Sequence, residues 1–397
     1  MIKKKSNKYI RLIFLGSLFL LFNRCVEPFR PSLDDESQKL LVVEGMISDE
    51  AGAFAVSLTF SVPVYDNRNI IGDSLPVTGA LVQITDDSGN SYLLIENRAG
   101  WYETEEQDLK GIPGFTYTLL ITTEEGTQYE SSPVLMQEVP DIDTVQYEEV
   151  IRTQFDQEIP YEENWLNILV DTRAPGDDIA YFKWEFEETW EFEMPQYIEV
   201  WHGTDANSPP PTMETIEVEY EKIHCWVSES SRSILIQSTL TNSSNEIENF
   251  ILQSIGPSDD RLNIKYSILV KQYVINRDLY NFFNLLRESN KETGGIYEKT
   301  PAQIIGNIRC CDGSKQALGF FMASAVTTKR IFISPDEHEV ANGTAYGNCG
   351  WTTDKPRYQP VYLYGTYGNE DTQVWSSNKY CTDCRIRGTN IQPDFWE

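Results

Sequence analysis

The chain has 397 residues, of which 40% are hydrophobic, and this is enough for one large or two medium domains with apolar cores. Such a content of apolar and aromatic residues excludes global disorder. The formal net charge is −29, so the surface repels nucleic acid and anionic lipid headgroups. We interpret the acidity as a solubility feature, with binding of cations or of a basic partner as the alternative.

The N-terminus has the pattern of an export signal. It opens with a basic head, made of Lys3, Lys4, Lys5, Lys8 and Arg11. The apolar run from Leu12 to Phe22 is too short to cross a hydrocarbon core of roughly 30 Å, and it is typical of a signal peptide. Cys25 follows as the predicted lipidation site, which makes residues 1–24 a lipoprotein signal peptide. Asn23 and Arg24 replace the small residues usual before such a cysteine, so cleavage elsewhere and a short uncleaved anchor remain alternatives.

Residues 25–37 are interpreted as a tether. They contain Pro28, Pro31 and an acidic run, which favour an extended and solvated segment. The first periodic apolar stretch begins only at Leu40. The pattern predicts a folded body that a short segment holds away from a membrane.

Six cysteines follow Cys25, and an even number in an exported chain favours disulfides. The candidates are Cys225, Cys310, Cys311, Cys349, Cys381 and Cys384. The sequence does not choose among the pairings, although adjacent Cys310 and Cys311 are expected to bond to different partners. A metal site at Cys381 and Cys384 is the less favoured alternative, since no second pair of this spacing accompanies it and the histidines are scattered.

Residues 38–140 are predicted to form a β-sandwich. Phe54, Val56 and Leu58 alternate with small or polar residues, which is the period of a strand with one buried face. The segment from Asp86 to Asn90 is typical of a hairpin turn. Short strands with turns about every ten residues favour a sandwich.

The order of four short motifs in this region resembles transthyretin-like modules, which implies a transthyretin-like or Ig-like sandwich. The motifs are Gly79 to Ile84, Asp86 to Gly89, Gly100 to Tyr102 and Gly114 to Ile121. The segment from Val139 to Asp143 marks the expected domain boundary, because proline interrupts strand pairing.

Residues 141–397 are predicted to form a larger β-rich domain with disulfides and one or two short helices. Phe182, Trp184 and Phe186 alternate with charged residues, and we interpret this aromatic face as core. The alternative is an exposed platform for a sugar ring or a peptide, with Trp184, Trp190 and Trp201 as the candidates.

One helix has a clear signature. Four apolar residues fall on one helical face, which we interpret as core packing, namely Leu279, Phe282, Phe283 and Leu286. Asn276 is the predicted N-cap, and Gly294-Gly295 is the predicted end.

Several segments in a fixed order resemble the Bacteroidota outer-membrane lipoproteins grouped as domain of unknown function 4249. They are Leu41 to Ile47, Cys225-Trp226, Pro301 to Ile308, Leu318 to Ser324 and the ending from Cys381 to Trp396. The resemblance implies a lipid-anchored protein of the outer membrane, often encoded near TonB-dependent receptors. The acidic run after Cys25 favours display on the cell surface.

The sequence has no recognised catalytic motif. It lacks G-x-S-x-G, H-E-x-x-H and a phosphate-binding glycine loop, so we expect no enzyme activity, cofactor or metal. The favoured hypothesis is a non-enzymatic accessory module beside an outer-membrane β-barrel such as a TonB-dependent transporter. A stand-alone adhesin for glycans or proteins, and a hydrolase with an unrecognised carboxylate site, are the alternatives.

Overall fold

The computed structural model describes most of the chain beyond residue 39. Backbone and side chains are described for residues 40–61, 75–106, 109–157, 159–194, 223–289, 304, 306–341, 343 and 383–396, and backbone alone for 198–200, 215–216, 290–291, 361–367 and 372–376. The chain divides into two compact units, residues 1–39 with 61–73 and residues 40–60 with 74–397. Apart from Ser61 the first unit lies outside the described residues, and the architecture is that of the second.

Short strands open the second unit, and most of them alternate buried with more exposed side chains, as expected where one face packs on a core. Their bounds are β1 (Leu41–Ile47), β2 (Ala55–Phe60), β3 (Leu75–Pro76), β4 (Leu81–Asp86), β5 (Ser91–Arg98), β6 (Trp101–Thr104), β7 (Thr116–Thr122), β8 (Gln128–Ser131) and β9 (Val134–Leu135).

Longer strands and a helix follow. Their bounds are β10 (Ile142–Asp156), β11 (Ile159–Arg173), β12 (Tyr181–Glu193), β13 (Ile198–Val200), β14 (Thr215–Ile216), β15 (His224–Ser230), β16 (Leu235–Ser238), β17 (Glu246–Ile255), β18 (Lys265–Val274), α1 (Arg277–Lys291), β19 (Ile308–Cys310), β20 (Ala317–Ala323), β21 (Val326–Ile333), β22 (Val361–Tyr367) and β23 (Thr372–Ser376), with 3-10 turns at Pro335–Glu337 and Cys384–Ile386.

The first sheet has 11 strands and is nearly closed into a barrel. Its order is β19-β8-β7-β4-β5-β6-β2-β1-β20, with β3 on β2 and β9 on β7. The pairing of β1 with β20 is parallel, from Leu41 opposite Ala317 to Ile47 opposite Ala323. The interior is filled by alternate side chains of these strands, including Leu41, Val43, Val56, Leu58, Ile84, Leu119 and Phe321.

A single asparagine bridges the two end strands of this sheet, β19 and β20. Asn307 Nδ2 donates to the carbonyl of Phe321 at 2.9 Å, and Asn307 Oδ1 accepts from the Phe321 amide at 2.9 Å. One side-chain amide therefore makes the two hydrogen bonds that a paired strand residue would make. Phe321 is 0% exposed, so its backbone groups depend on this amide. We call this junction the seam.

Two glycines allow the close backbone approach at the seam. A Cβ added at Gly306 would overlap the carbonyl oxygen of Gly319. Gly319 has a φ of +94°, and a Cβ added there would overlap the carbonyl oxygen of Val43. Gly306 is required because any Cβ would collide with backbone, and Gly319 is required for this reason and for its backbone angle.

Two further antiparallel sheets share a second core. One has the order β10-β11-β17, and the other has the order β15-β12-β18-β21 with β16 on β12. Trp184 of β12 stacks on Phe250 of β17 with ring centroids 4.6 Å apart, which joins the two layers. The core includes Leu166, Ile168, Val170, Phe182, Trp190, Tyr266 and Ile268. A fourth antiparallel sheet has the order β14-β13-β22-β23.

Helix α1 forms where the sequence predicts it. Asn276 Oδ1 accepts a hydrogen bond from the Leu279 amide at 2.8 Å, which confirms the N-cap. The predicted apolar face packs against Phe320 and Met322 of β20. β20 is therefore apolar on both faces, because Phe321 points into the first sheet. The predicted end at Gly294-Gly295 lies outside the described residues.

The mainly β class with a helix is confirmed, but the first sheet differs from the expected sandwich. The strands of residues 41–135 form one continuous sheet with β19 and β20, which come from beyond residue 140. A separate domain at 38–140 would leave the edges of β1 and β8 unpaired.

The predicted turn at residues 86–90 is present, with Asp86 Oδ1 accepting from the amides of Ser88 and Asn90 at 3.0 and 2.9 Å.

Over the described residues, no helix combines the length and apolar character needed to span a membrane.

We predict that Asn307→Ala lowers the free energy of unfolding by about 2–4 kcal/mol, because two buried backbone groups of Phe321 lose their partner. The urea midpoint of the full-length protein measures this loss. Asn281→Ala, at an exposed position of α1, is the control and should change stability by less than about 0.5 kcal/mol. Equal effects of the two substitutions would contradict the role given to Asn307.

Candidate functional site

A cleft of about 800 Å³ lies between the outer face of the first sheet and helix α1. This volume falls in the range of about 300–1,000 Å³ that small-molecule sites occupy. β1 contributes Val42, Glu44 and Met46, which face away from the barrel interior because neighbouring residues of a strand point to opposite sides. We call this space the cleft.

Most of the described lining is apolar. Helix α1 contributes Leu279, Phe282, Phe283 and Leu286, and β20 contributes Leu318, Phe320 and Met322. Phe282 lies 5.6 Å from Phe283 and 5.5 Å from Phe320 between ring centroids, in edge and tilted contacts. Such an aromatic wall favours ligands with an alkyl or aryl body.

Polar groups occupy one part of the lining. Lys183 and Glu185 of β12 form an ion pair, and the side chain of Lys183 is 12% exposed while that of Glu185 is 42% exposed. The Lys183 ammonium lies 5.2 Å from the ring centroid of Tyr273 and 5.6 Å from that of Phe283. The Tyr273 hydroxyl donates to Glu185 Oε2 at 3.3 Å. Burial, together with the negative charge of Glu185, raises the pKa of Tyr273.

The arrangement suits binding. Two of the three carboxylates that line the cleft are held by lysines, Glu185 by Lys183 and Glu50 by Lys271 at 2.8 Å. The described lining includes no histidine, cysteine or aspartate. A ligand would bury an apolar body among the phenylalanines and place a polar end near Lys183.

Two of the three tryptophans predicted as an alternative ligand platform are buried. Trp184 is 1% exposed and Trp190 is 2% exposed. Trp184 Nε1 donates to Gln272 Oε1 at 2.9 Å within the core. Neither ring offers a face to a ligand, so the platform interpretation is wrong for these two residues. Trp201 lies outside the described residues.

The core face of β12 also carries a buried carboxylate. Glu188 is 4% exposed among aromatic residues. Its oxygens accept from the Tyr266 hydroxyl at 2.9 Å and lie 3.0 Å from Arg261 Nη1. Burial raises the pKa of Glu188, and Arg261 and Tyr266 lower it by less. Arg261 also lies 5.3 Å from the Trp190 ring centroid, so the network links this loop residue to β12 and β18 at the second core.

Among the predicted disulfide cysteines, Cys225 of β15 bonds to Cys384, and their Cα atoms are 5.8 Å apart. The bond ties the C-terminal segment to the second core and is worth about 2–5 kcal/mol. Because the Cys384 sulfur is used in this way, the metal alternative at Cys381 and Cys384 does not hold for Cys384. Cys25, Cys349 and Cys381 lie outside the described residues.

The adjacent cysteines have different surroundings. Cys310 is buried and Cys311 is exposed, and neither bonds to another cysteine of the described part. The Cys310 thiol donates to Asp312 Oδ1 at 3.0 Å. Hydrogen bonds from Ser314 and from Cys310 lower the pKa of Asp312 to about 2. Their expected bonding to different partners stays a prediction.

Sequence reasoning missed the cleft. It assigned the apolar face of α1 to core packing, and Lys183 and Glu185 only to the charged face of a strand. The apolar run from Leu318 to Met322 could have indicated the cleft, because a strand with two apolar faces must pack against other elements on both faces.

Residues 26–330 match the model of a family described as Domain of unknown function (DUF4249). No curated protein matches the chain. The segments that carry the sequence resemblance include β1, the cysteine of the disulfide and both sides of the seam, so in this structure they maintain the fold.

We predict that Glu188 makes stability fall with rising pH. Its pKa is raised in the folded state, so the folded protein binds this proton more tightly than the unfolded chain. The free energy of unfolding therefore decreases as pH rises from the ordinary value of 4.5 through the raised value.

Urea unfolding of the wild type and of Glu188→Gln, measured from about pH 4 to about pH 7, tests this. The wild type should lose stability relative to the variant across the window. A difference that is flat, or that grows in favour of the wild type, would contradict the assigned burial effect.

Proposed function

The chain belongs to the DUF4249 family, and we propose that it is a non-enzymatic binding module of the cell envelope. In this proposal a lipid on Cys25 anchors the protein in the outer membrane, and residues 25–37 hold the folded body at the cell surface. The basic head, the short apolar run and the cysteine at its end support export and lipidation.

The observation that carries the binding role is the cleft. Its apolar walls and the ion pair at Lys183 and Glu185 favour an amphiphile with a long alkyl or aryl body. The lining comes mainly from the paired strands β1 and β20, from β12 and from helix α1, so regular secondary structure holds most of the site in place.

An accessory role beside an outer-membrane β-barrel such as a TonB-dependent transporter is the second part of the proposal. The family resemblance and the anchored geometry support it. The hydrolase alternative is less favoured because the lysines hold two of the lining carboxylates. The adhesin alternative is also less favoured, because two of its three candidate tryptophans are buried in the core.

Lipidation is tested in cells that express the full-length chain and are fed a tagged palmitate. Cys25→Ala should abolish labelling and release the protein from the membrane fraction, because an acyl chain contributes about 0.8 kcal/mol of membrane affinity per buried CH₂. Cys311→Ala removes an exposed thiol instead, and should leave both unchanged. Labelling that persists in Cys25→Ala would show that the anchor is elsewhere.

Ligand binding is tested with a long-chain alcohol that carries a diazirine. It has no carboxyl group, so it cannot be transferred to Cys25 as an acyl chain. After illumination of intact cells, mass spectrometry should find adducts on peptides that contain Phe283 or Met322.

Leu286→Trp places an indole in the cleft and should reduce these adducts about tenfold or more, as expected if it removes at least about 1.4 kcal/mol of binding free energy. Leu93→Trp, at a position that is 50% exposed on β5, is the matched control and should leave the yield unchanged. Adducts that are absent from the cleft, or equal in both variants, would contradict the assignment.

A further inference from the structure

The hairpin of β10 and β11 extends beyond the sheet to which it belongs. β17 pairs with β11 only from Leu166 to Arg173. Further out, residues 150–156 of β10 pair with residues 159–165 of β11, and these segments pair with no other strand of the described part. At about 3.4 Å per residue the two-stranded ribbon is about 20 Å long. We call it the arm.

Large apolar side chains are exposed on both faces of the arm. Ile151 is 67% exposed and Phe155 is 70% exposed. Ile159 is 69% exposed and Tyr161 is 45% exposed. The register places Ile151 and Phe155 on one face and Ile159 and Tyr161 on the other, since Phe155 is opposite Pro160 and Tyr161 is opposite Gln154. A two-stranded ribbon with this exposure is marginal in water and gains most from cover by a partner.

The base of the arm is fixed to the body. The Arg152 guanidinium lies 4.3 Å from the ring centroid of Trp165. Arg152 Nη2 also donates to Asn167 Oδ1 and to Ser254 Oγ, both at 3.0 Å. These contacts, with the hydrogen bond of 3.4 Å from Asn164 Nδ2 to the Glu339 carbonyl, hold the arm to the body, and they occupy its only basic side chain.

The arm and its base are acidic. Glu148, Glu149, Asp156, Glu162 and Glu163 lie along it, and within the described residues none of them forms an ion pair. Exposed carboxylates around apolar side chains fit a surface with an apolar groove and a basic rim.

The negative charge of the arm distinguishes among three possible partners, which are a second copy of the chain, a lipid surface and a different protein. A second copy would bring one acidic arm against another chain whose net charge is −29. Anionic lipid headgroups would be repelled in the same way. We propose that the arm is a docking element for a different protein, whose apolar groove encloses the end of the ribbon and contacts Phe155 on one face and Ile159 on the other, with lysine or arginine at the groove's edge. This inference is independent of the cleft.

The test uses full-length protein in intact cells, with the photoreactive residue p-benzoylphenylalanine in place of Phe155. The same residue in place of Leu93, which is 50% exposed on β5, is the control. We expect one dominant protein adduct from the arm and none of that mass from the control. Its crosslinked peptide should contain lysine or arginine beside apolar residues.

Charge reversal makes the test specific. Glu162→Lys with Glu163→Lys in the same chain should reduce the adduct about tenfold or more, since like charges replace complementary ones. Thermal unfolding should change little, because Glu162 is exposed and Glu163, which is half-buried, accepts only one long hydrogen bond, from Trp165 Nε1 at 3.4 Å. Four results would each overturn the proposal. They are an adduct with a second copy, an adduct with lipid alone, no adduct, and an adduct yield that charge reversal leaves unchanged.

Discussion

The seam is the contact on which the rest of this structure depends. A sheet that begins at β1 and ends at β8 would leave two strand edges open, and open edges invite pairing with other chains. β19 and β20 cover both edges, and Asn307 then joins them through two hydrogen bonds to Phe321. The closure needs glycine at positions 306 and 319 because the backbones pass so close together.

Closure also creates the candidate site. Once β20 lies beside β1, its second apolar face points away from the barrel and is covered by helix α1. The cover is incomplete, and the cleft is the space that remains between them. The same residues therefore determine stability and the shape of the proposed binding site. The arm has a different origin, since it results from a hairpin that is longer than the third strand beside it.

Much of the local structure could be predicted from the sequence. The alternation around Val56 and Leu58, the Asp86 turn and the Asn276 cap depend on residues that are neighbours in the chain. What failed depends on distant residues. The apolar run in β20 fits a strand that is buried on both faces, yet nothing local shows that it pairs with β1 across more than two hundred residues. The choice of Cys384 as the partner of Cys225, and the position of the cleft, follow from the same long-range pairings.

The central claim, that one side chain closes the first sheet, is tested most directly by native-state hydrogen exchange at the Phe321 amide. This amide donates to Asn307 Oδ1 at 2.9 Å, so its protection from exchange reports on the seam itself. We expect it to exchange as slowly as the amides of β1, through global unfolding. Fast exchange at Phe321 with β1 still protected would show that the seam is open in solution.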